Sequence, residues 1–427
     1  MTVSGSQKPI INPRLMIFLL AMASAEMSRT MTMVQIPVFL RELGASIQQI
    51  GLFFTISLIF PLLLRIFGGW LSDIIGRLRA LTLGSTAGML AFFLYTIAPT
   101  WQAALLAPAF LAATTALIFP SYKAYIADQT DDEIQGRVFG VSETIISIAW
   151  ILGPPIGGLI ANYLGYRWMF AISTMTYAVA TLIFLGLFRT HPIEKHEGEQ
   201  TLNIASMRSS LTEMLILMIS GGLVTWILIV DGVRDVAFKM SFDLMPIYLT
   251  EIGGLSKTGI GILDGIFGVA LAASTLPGGW LVDKTSERFG ITLGIIAMIL
   301  SRLVFAITSV FGGFAFSWIL LGIGGGLLEP AGSSLIAKGV PKRVRGLTYG
   351  LVATSLGIIS LPAPWIGSQI WKWVNPQAPF YLTIFLGAFA IIPAWFKLKI
   401  SKELWVGVDV DATTIHTTEG ILNSTVR

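Results

Sequence analysis

Charged residues are scarce in this sequence. Of its 427 residues only 12% are charged and 54% are hydrophobic, whereas an average soluble domain carries about 25% charged residues. So little charge cannot cover a surface that faces water, which excludes a soluble enzyme and a nucleic-acid-binding module. Intrinsic disorder is excluded as well, because disordered chains are rich in charge and poor in apolar residues. The composition therefore predicts a polytopic membrane protein.

Cysteine is absent and histidine is rare. With no cysteine, disulfides, thiolate metal sites and cysteine nucleophiles are excluded. His191, His196 and His416 all lie outside the apolar runs, so we expect no intramembrane metal site, no cofactor and no acid–base enzyme chemistry. The sequence also lacks a G-x-x-x-x-G-K-[ST] loop, so nothing in it supports ATP-driven pumping.

Apolar segments long enough to cross a bilayer recur along the chain. A spanning helix needs about 20 mostly apolar residues. This template predicts spans 1 to 12 near residues 14–40, 47–71, 79–98, 102–124, 138–161, 167–188, 222–249, 257–281, 291–309, 314–337, 347–371 and 378–397. The predicted domains are an N-terminal bundle (1–188), a cytoplasmic linker (189–212, with an interfacial helix reaching 220), a C-terminal bundle (213–400) and a disordered cytoplasmic tail (401–427).

The cations of the short loops predict the orientation. With the N-terminus inside, nineteen lysines and arginines lie in cytoplasmic segments, and four lie outside: Arg41, Arg167, Lys257 and Lys372. Cytoplasmic loops of membrane proteins carry the excess of Lys and Arg. We therefore expect both termini on the cytoplasmic side of the cell membrane.

The two groups of six spans are internal copies. Residues 37–44 align with 246–253 at an offset of 209, and residues 69–73 align with 279–283 at an offset of 210. Because each half has an even number of spans, the repeats run parallel, which predicts a transporter with its site between the halves near the membrane midplane. The repeat also favours a span 7 at about 222–249, whereas hydropathy alone favours 214–230.

Two motifs resemble those of a known family. The turn between spans 2 and 3 reads Gly69-Trp-Leu-Ser-Asp73-Ile-Ile-Gly76-Arg77-Leu-Arg79, which resembles the signature G-x-L-x-D-x-x-G-R-x-R of the major facilitator superfamily. Span 5 carries Gly153-Pro154-Pro155-Ile-Gly157-Gly158, which resembles the G-P-x-x-G-G motif of its drug/proton antiporters. The resemblance implies an all-α fold of twelve transmembrane helices in two parallel six-helix repeats. It also implies a monomeric transporter that works by alternating access, with a small-molecule substrate and protons as the coupling ion.

The turn residues are predicted to form a cytoplasmic latch. Gly69 and Gly76 allow a sharp turn, Asp73 faces a helix N-terminus of the other half, and Arg77 pairs with an acidic residue such as Asp128. Such a latch would stabilise the outward-facing state. The alternative is that these charges, with Arg79, are solvated loop residues.

The C-terminal copy of the latch departs from the pattern. Asp283 persists as the counterpart of Asp73, but Ser286 and Glu287 replace Gly76 and Arg77, which predicts a degraded second latch. In span 5, the resemblance implies a hinge or leak seal between the halves, with ordinary small-residue packing as the alternative. Span 4 lacks the arginine that the family uses in proton coupling, because residues 105–113 carry no charge.

Charges within the spans give the sharpest functional signal, because a charge at the bilayer centre costs at least about 2.5 kcal/mol. Glu26 and Arg29 lie mid-way along span 1, spaced to pair along the helix. The repeat maps Glu26 onto Asp235 of span 7. We predict Glu26 and Asp235 as proton or substrate carboxylates, with Arg29 and Arg234 as counter-charges or anion contacts.

Further charges extend this candidate set. In span 7, Asp231, Asp235, Lys239 and Asp243 fall on one helix face. The alternative to a site is a self-neutralising ladder, or an outer amphipathic segment if span 7 lies at 214–230. The other candidates are Arg65, Glu143, Glu329 and Asp264. Arg302 in span 9 is predicted to be structural, with Asp264 as its partner.

Together these features predict proton-coupled export of a small organic molecule, with no nucleic-acid partner. One alternative is a symporter or uniporter for a polar metabolite or organic anion, which arginines in the cavity would suit. The other is a non-transporting sensor or lipid-handling protein on the same fold. The intact loop with Asp73 and Arg77 argues against that third reading, because a static receptor has little use for a latch.

Overall fold

The computed structural model describes residues 12–131, 133–189, 221–340 and 342–399. All regular secondary structure in these residues is helical, and ten helices are long and apolar enough to cross a membrane. They form spans 2 to 6 and 8 to 12. Their bounds are Ile47–Ile75, Arg77–Ile97, Trp101–Ala104 with Ala107–Asp128, Gln135–Tyr163, Tyr166–Arg189, Lys257–Lys284, Glu287–Ile307, Phe311–Gly339, Lys342–Ile359 with Ala363–Trp373, and Ala378–Lys397.

Spans 1 and 7 are broken helices. Span 1 consists of Pro13–Met33 and Ile36–Glu42, and span 7 of Leu223–Phe242 and Met245–Glu251. Pro37 and Pro246 stand one residue inside the second segments, where the missing N–H removes a helical hydrogen bond and interrupts the helix. The two breaks are equivalent by the repeat. Span 7 begins at Leu223, as the repeat predicts; the predicted linker and tail lie almost entirely outside the described residues.

Equivalent aromatic clusters hold the core of each half. In the N-terminal half, the rings of Phe39 and Tyr95 lie 4.8 and 4.9 Å from that of Phe170. In the C-terminal half, Tyr248 and Phe305 lie 5.2 and 4.7 Å from Phe380. The second trio occupies the repeat counterparts of the first, so the two halves share their internal packing as well as their helix order.

The halves touch through two equivalent helix pairs, span 5 with span 8 and span 2 with span 11. At Gly261 an added Cβ would collide with the carbonyl of Pro154. At its repeat counterpart Gly51, a Cβ would lie 2.7 Å from the carbonyl oxygen of Pro364. Each contact therefore needs a glycine that lets backbone approach backbone.

These contacts lie toward one end of the bundle. We call this end the gate face, because it carries Glu42 and Lys257; the other end, with the turn at Gly76, is the motif face. Leu276 lies three turns further along span 8 from Gly265, on the same helix side, yet it is 84% exposed. Ile148, two turns back from Pro155, is 47% exposed. The halves therefore separate toward the motif face, and the space between them is open at that end.

Candidate functional site

Span 1 carries a bidentate ion pair at its middle. Arg29 donates from Nε to Glu26 Oε2 at 3.0 Å and from Nη2 to Oε1 at 2.5 Å. The guanidinium also lies 5.0 Å from the ring centre of Trp150 in span 5. Two parallel N–H···O bonds fix both side chains, so the predicted pairing along the helix is present.

Span 7 carries two such pairs. Arg234 lies 3.0 Å from Asp231, and Lys239 lies 2.8 Å from Asp235. Lys239 Nζ also donates to Ser360 Oγ at 2.8 Å, which ties span 7 to span 11. Arg234 therefore neutralises Asp231 and not the predicted Asp235, because adjacent helical residues point in different directions whereas residues three apart meet. The charges pair within the helix, as in the self-neutralising ladder.

A cavity of about 460 Å³ opens within the C-terminal half. Asp231 and Arg234 of span 7, Glu329 and Ser333 of span 10, and Tyr349 of span 11 line it, together with apolar side chains. Glu329 is exposed and forms no ion pair with any described residue. The cavity therefore contains one neutralised pair and one free carboxylate.

Glu143 is a second carboxylate without an ion-pair partner in the described part of the chain. It is exposed on span 5, one turn from Ser147 and two turns from Trp150. Trp150 lies at the contact with span 8, where its carbonyl is the closest atom to a Cβ built on Gly268. Glu143 therefore lies toward the motif face on the side that borders the space between the halves. Arg65 is helical in span 2, and its side chain lies outside the described set.

Two further intramembrane charges lie deeper in the C-terminal half. Asp264 accepts a hydrogen bond from Trp318 Nε1 at 2.8 Å. Arg302 is fully buried, and none of its three nitrogens has a hydrogen-bond partner among the described residues; its guanidinium lies 5.0 Å from the ring of Phe238. The expected pair of Arg302 with Asp264 is therefore wrong, because the indole of Trp318 occupies the carboxylate.

The turn between spans 2 and 3 folds as its sequence predicts. Gly76 adopts a φ of 85°, a conformation that favours glycine. Arg77 forms an ion pair with Asp128 and donates to the carbonyl of Ala124 at 2.6 Å. The pairing with Asp128 is confirmed, and it joins spans 3 and 4 within one half. Arg79 lies over the ring of Phe188 at 5.0 Å.

The rest of the predicted latch stays a prediction. The side chains of Gly69 and Asp73 lie outside the described set. In the C-terminal copy, Asp283 is exposed. Glu287 accepts from Lys338 at 2.8 Å and from Ser334 at 3.0 Å. Glu287 and Lys338 are the repeat counterparts of Arg77 and Asp128. The second copy of the latch therefore keeps this ion pair with its charges exchanged. The predicted degradation of the second latch does not include the ion pair.

The span 5 motif divides its residues between two neighbours. A Cβ on Gly153 or Gly157 would collide with Thr30 or with the backbone of Met31, both in span 1. Pro154, Pro155 and Gly158 instead face span 8: a Cβ on Gly158 would lie 2.5 Å from the carbonyl oxygen of Lys257. Three of the motif residues thus lie at the contact between the halves.

Two ion pairs cross between the halves at the gate face. Arg41 lies 2.5 Å from Glu251, and Lys257 lies 2.6 Å from Glu42. Gln35 adds a hydrogen bond to the carbonyl of Lys257 at 3.0 Å. The sequence marked Arg41 and Lys257 only as outer cations and gave Glu42 and Glu251 no role. The one signal for the two acids is that they are repeat counterparts.

The arrangement matches a known family. The family model described as Major Facilitator Superfamily matches residues 18–253 and 227–408. The chain belongs to the major facilitator superfamily. It is a multi-pass secondary active transporter and not an enzyme, and the predicted fold class is confirmed.

Curated relatives of the chain include antiporters and resistance proteins. A Na(+), Li(+), K(+)/H(+) antiporter from Planococcus maritimus is 25% identical and covers 84% of this chain and 89% of its own length. Quinolone resistance protein NorA from Staphylococcus aureus is 23% identical, over 82% of this chain and 87% of its own length.

Solved structures share the fold at low sequence identity. A bacterial homologue of the iron transporter ferroportin in an inward-facing state superposes with a TM-score of 0.73 at 13% identity, over 90% of this chain and 98% of that one. A point mutant of the nucleoside transporter NupG also gives a TM-score of 0.73 at 13% identity, over 92% of this chain and 100% of that one. At this identity the likeness concerns the fold alone.

Proposed function

We propose that this transporter exports small organic cations in exchange for protons. The main observation in support is the charge of the space between the halves and of the cavity within the C-terminal half. Arg29, Arg234 and Lys239 each pair with a carboxylate of their own helix, whereas Glu143 and Glu329 have no ion-pair partner among the described residues. The excess charge is negative, which favours a cation over the organic anion of the alternative reading.

The two free carboxylates provide a site for competition between substrate and proton. A carboxylate that loses water favours its protonated form, and an adjacent cation favours the ionised form. Either a proton or the substrate cation would therefore neutralise Glu143 or Glu329 when the cavity closes. Export follows if the substrate binds from one side and protons replace it from the other. Glu26 and Asp235 remain further candidates for the proton, with Arg29 and Lys239 holding them in place.

The conformation fits one stage of alternating access. With the predicted orientation, in which both termini are cytoplasmic, the motif face is the cytoplasmic face and the structure is inward-open. Loading then occurs from the cytoplasm. Release requires the two ion pairs of the gate face to break while the halves turn about the contacts of spans 2 and 11 and of spans 5 and 8. One protomer contains all these parts, which agrees with a monomer.

Transport in everted membrane vesicles with an imposed pH gradient, acidic inside, tests the proposal. The probe is the organic cation tetraphenylphosphonium, with an organic anion of similar size, tetraphenylborate, as its counterpart. We expect accumulation of the cation only. Glu329→Gln and Glu143→Gln should each lower it by about tenfold or more, since a contact to a charged group contributes about 1.5–3 kcal/mol.

Glu133→Gln is the matched control, because Glu133 is exposed near the motif-face end of span 5 and outside the site. It should leave accumulation unchanged. Accumulation of the anion but not the cation would overturn the cation assignment. Cation transport that is indifferent to the pH gradient would overturn proton exchange. If deletion of the gene lowers the amount of substrate in intact cells, the result would favour the symporter or uniporter.

A further inference from the structure

Three cations at the motif face of the C-terminal half lie over tryptophan rings. Lys284 Nζ lies 4.0 Å from the ring centre of Trp280. The Arg288 guanidinium lies 5.0 Å from Trp395, and Lys397 Nζ lies 5.0 Å from Trp226. We call these six residues the tryptophan rim.

The rim is continuous along the edge of the half. Lys284 ends span 8 and Arg288 follows it across a short turn, in the first turn of span 9. Arg288 reaches over Trp395 to span 12, and Lys397, two residues further, reaches over Trp226 in the first turn of span 7. All three pairs lie at helix ends, which is the depth at which phospholipid headgroups meet a membrane protein.

The N–H groups of these cations have no partner among the residues that the structure describes. Within the described residues, Lys284, Arg288 and Lys397 form no ion pair and no hydrogen bond. The carboxylate of Glu287 beside them is buried and already accepts from Lys338 and Ser334. Asp283, which is exposed, is the remaining acid of this turn, so the rim keeps a net positive charge.

The rim cations are not shared by the internal repeat. The repeat counterparts of Lys284, Arg288 and Lys397 in the N-terminal half are Ile74, Leu78 and Leu187. The N-terminal half has its own cation over a ring at this level, Arg79 over Phe188, but it has no cation at the three positions equivalent to those of the rim. Charge at these positions therefore points to a ligand of the C-terminal half.

We propose that the tryptophan rim binds the phosphate headgroups of anionic phospholipids in the leaflet at the motif face. Indole rings settle at the boundary between acyl chains and headgroups, and stacking holds each cation at that depth with its N–H donors directed to the phosphate. Basic pockets between helix ends on the cytoplasmic side are suited to anionic headgroups. A bound lipid would join spans 7, 8, 9 and 12, and so would stabilise the half that contains Asp231 and Glu329.

The test measures lipid binding to the purified full-length protein in detergent, by native mass spectrometry. The lipids are a phosphatidylglycerol and a phosphatidylcholine with identical acyl chains. We expect retention of phosphatidylglycerol only. Each surface Lys or Arg contributes about fivefold to the affinity for an anionic lipid, so the combined change of Lys284, Arg288 and Lys397 to Gln should weaken binding by about 100-fold.

Two further variants make the result specific. Changing Lys123, Arg137 and Lys372 to Gln removes the same charge from positions without a stacked ring, and it should leave phosphatidylglycerol bound. The charge-preserving variant Lys284→Arg with Lys397→Arg should also retain it, and Arg288→Gln alone gives a weaker test if the triple variant does not fold.

Four results would overturn the proposal. They are equal retention of phosphatidylcholine, equal loss in the control triple variant, displacement by an acidic peptide but not by lipid, and competition by free glycerol phosphate as effective as that by the lipid. The last result would identify a soluble phosphate as the ligand, and displacement by an acidic peptide but not by lipid would identify a protein partner.

Discussion

Glu287 accepts a hydrogen bond from Lys338 at 2.8 Å, and this ion pair is the repeat image, with its charges exchanged, of the pair formed by Arg77 and Asp128. In each half the pair joins the start of the third helix to the end of the fourth at the motif face. The sign of each partner is free to change between the copies, whereas the presence of two opposite charges is kept. The geometry of the joint is therefore what both halves preserve.

Charge exchange within this pair is expected to be tolerated. Lys338→Glu places two carboxylates together and should lower the free energy of unfolding, and with it the thermal midpoint. The loss should be only about 1 kcal/mol, because Lys338 is 43% exposed and water screens the interaction. Glu287→Lys combined with Lys338→Glu should restore most of that stability. Thermal unfolding of the purified protein in detergent measures both effects. If the double variant is as unstable as Lys338→Glu, the pair is not what holds the joint.

Removing the two ion pairs of the gate face should make the halves separate there more often. Arg41→Ala combined with Lys257→Ala removes both ion pairs between the halves, and each partly exposed pair contributes about 0.2–1 kcal/mol. The two pairs together contribute about 0.4–2 kcal/mol, so the population open at the gate face should rise about two- to thirtyfold. Ser368 is fully buried next to Gly51 at this contact, so the labelling rate of Ser368→Cys by an impermeant thiol reagent reports the opening.

The wild-type chain has no cysteine, so Ser368→Cys needs no background correction. Lys372→Ala, which removes a cation of the same face that forms no ion pair with a described residue, is the control and should leave the labelling rate unchanged. An unchanged rate in the double variant would show that the ion pairs do not hold the gate closed.

A methyl group at Gly158 should weaken the contact between the halves. Its Cβ would lie 2.5 Å from the backbone oxygen of Lys257, and overpacking of this kind costs about 1–3 kcal/mol. Gly158→Ala should lower the thermal midpoint and the transport rate. Gly140→Ala on the same helix is the control, because a Cβ there meets nothing within 4 Å. Equal effects of the two substitutions would contradict the close approach.

Arg302 is expected to destabilise the conformation that is open at the motif face. Its nitrogens are buried without hydrogen-bond partners among the described residues, and such a group costs about 1–3 kcal/mol. Arg302→Met should raise the thermal midpoint, whereas Arg302→Lys keeps a buried charge and should not. A lower midpoint for Arg302→Met would show that the guanidinium has a stabilising role here.

The membrane class, the two repeats and the local pairs could be predicted from the sequence. The low content of charged residues indicates that the protein is surrounded by lipid. The repeat at an offset of 209 to 210 residues shows which residues of the two halves are equivalent. Glu26 with Arg29 followed from helical spacing alone, because the partners lie one turn apart on the same helix. Arg77 with Asp128 followed from the motif of the turn.

Only the tertiary structure decided which charges remain free and where the halves meet. Arg41 and Glu251 are 210 residues apart in the chain, and their contact exists because the two halves close at the gate face in this conformation. Glu143 and Glu329 resemble the other intramembrane carboxylates in sequence. They differ because no cation of the described residues forms an ion pair with either, whereas Glu26, Asp231 and Asp235 each pair with a cation of their own helix. Helical spacing acts within one element, whereas the relative position of two rigid halves depends on packing between distant segments, and that packing has no local signature in the sequence.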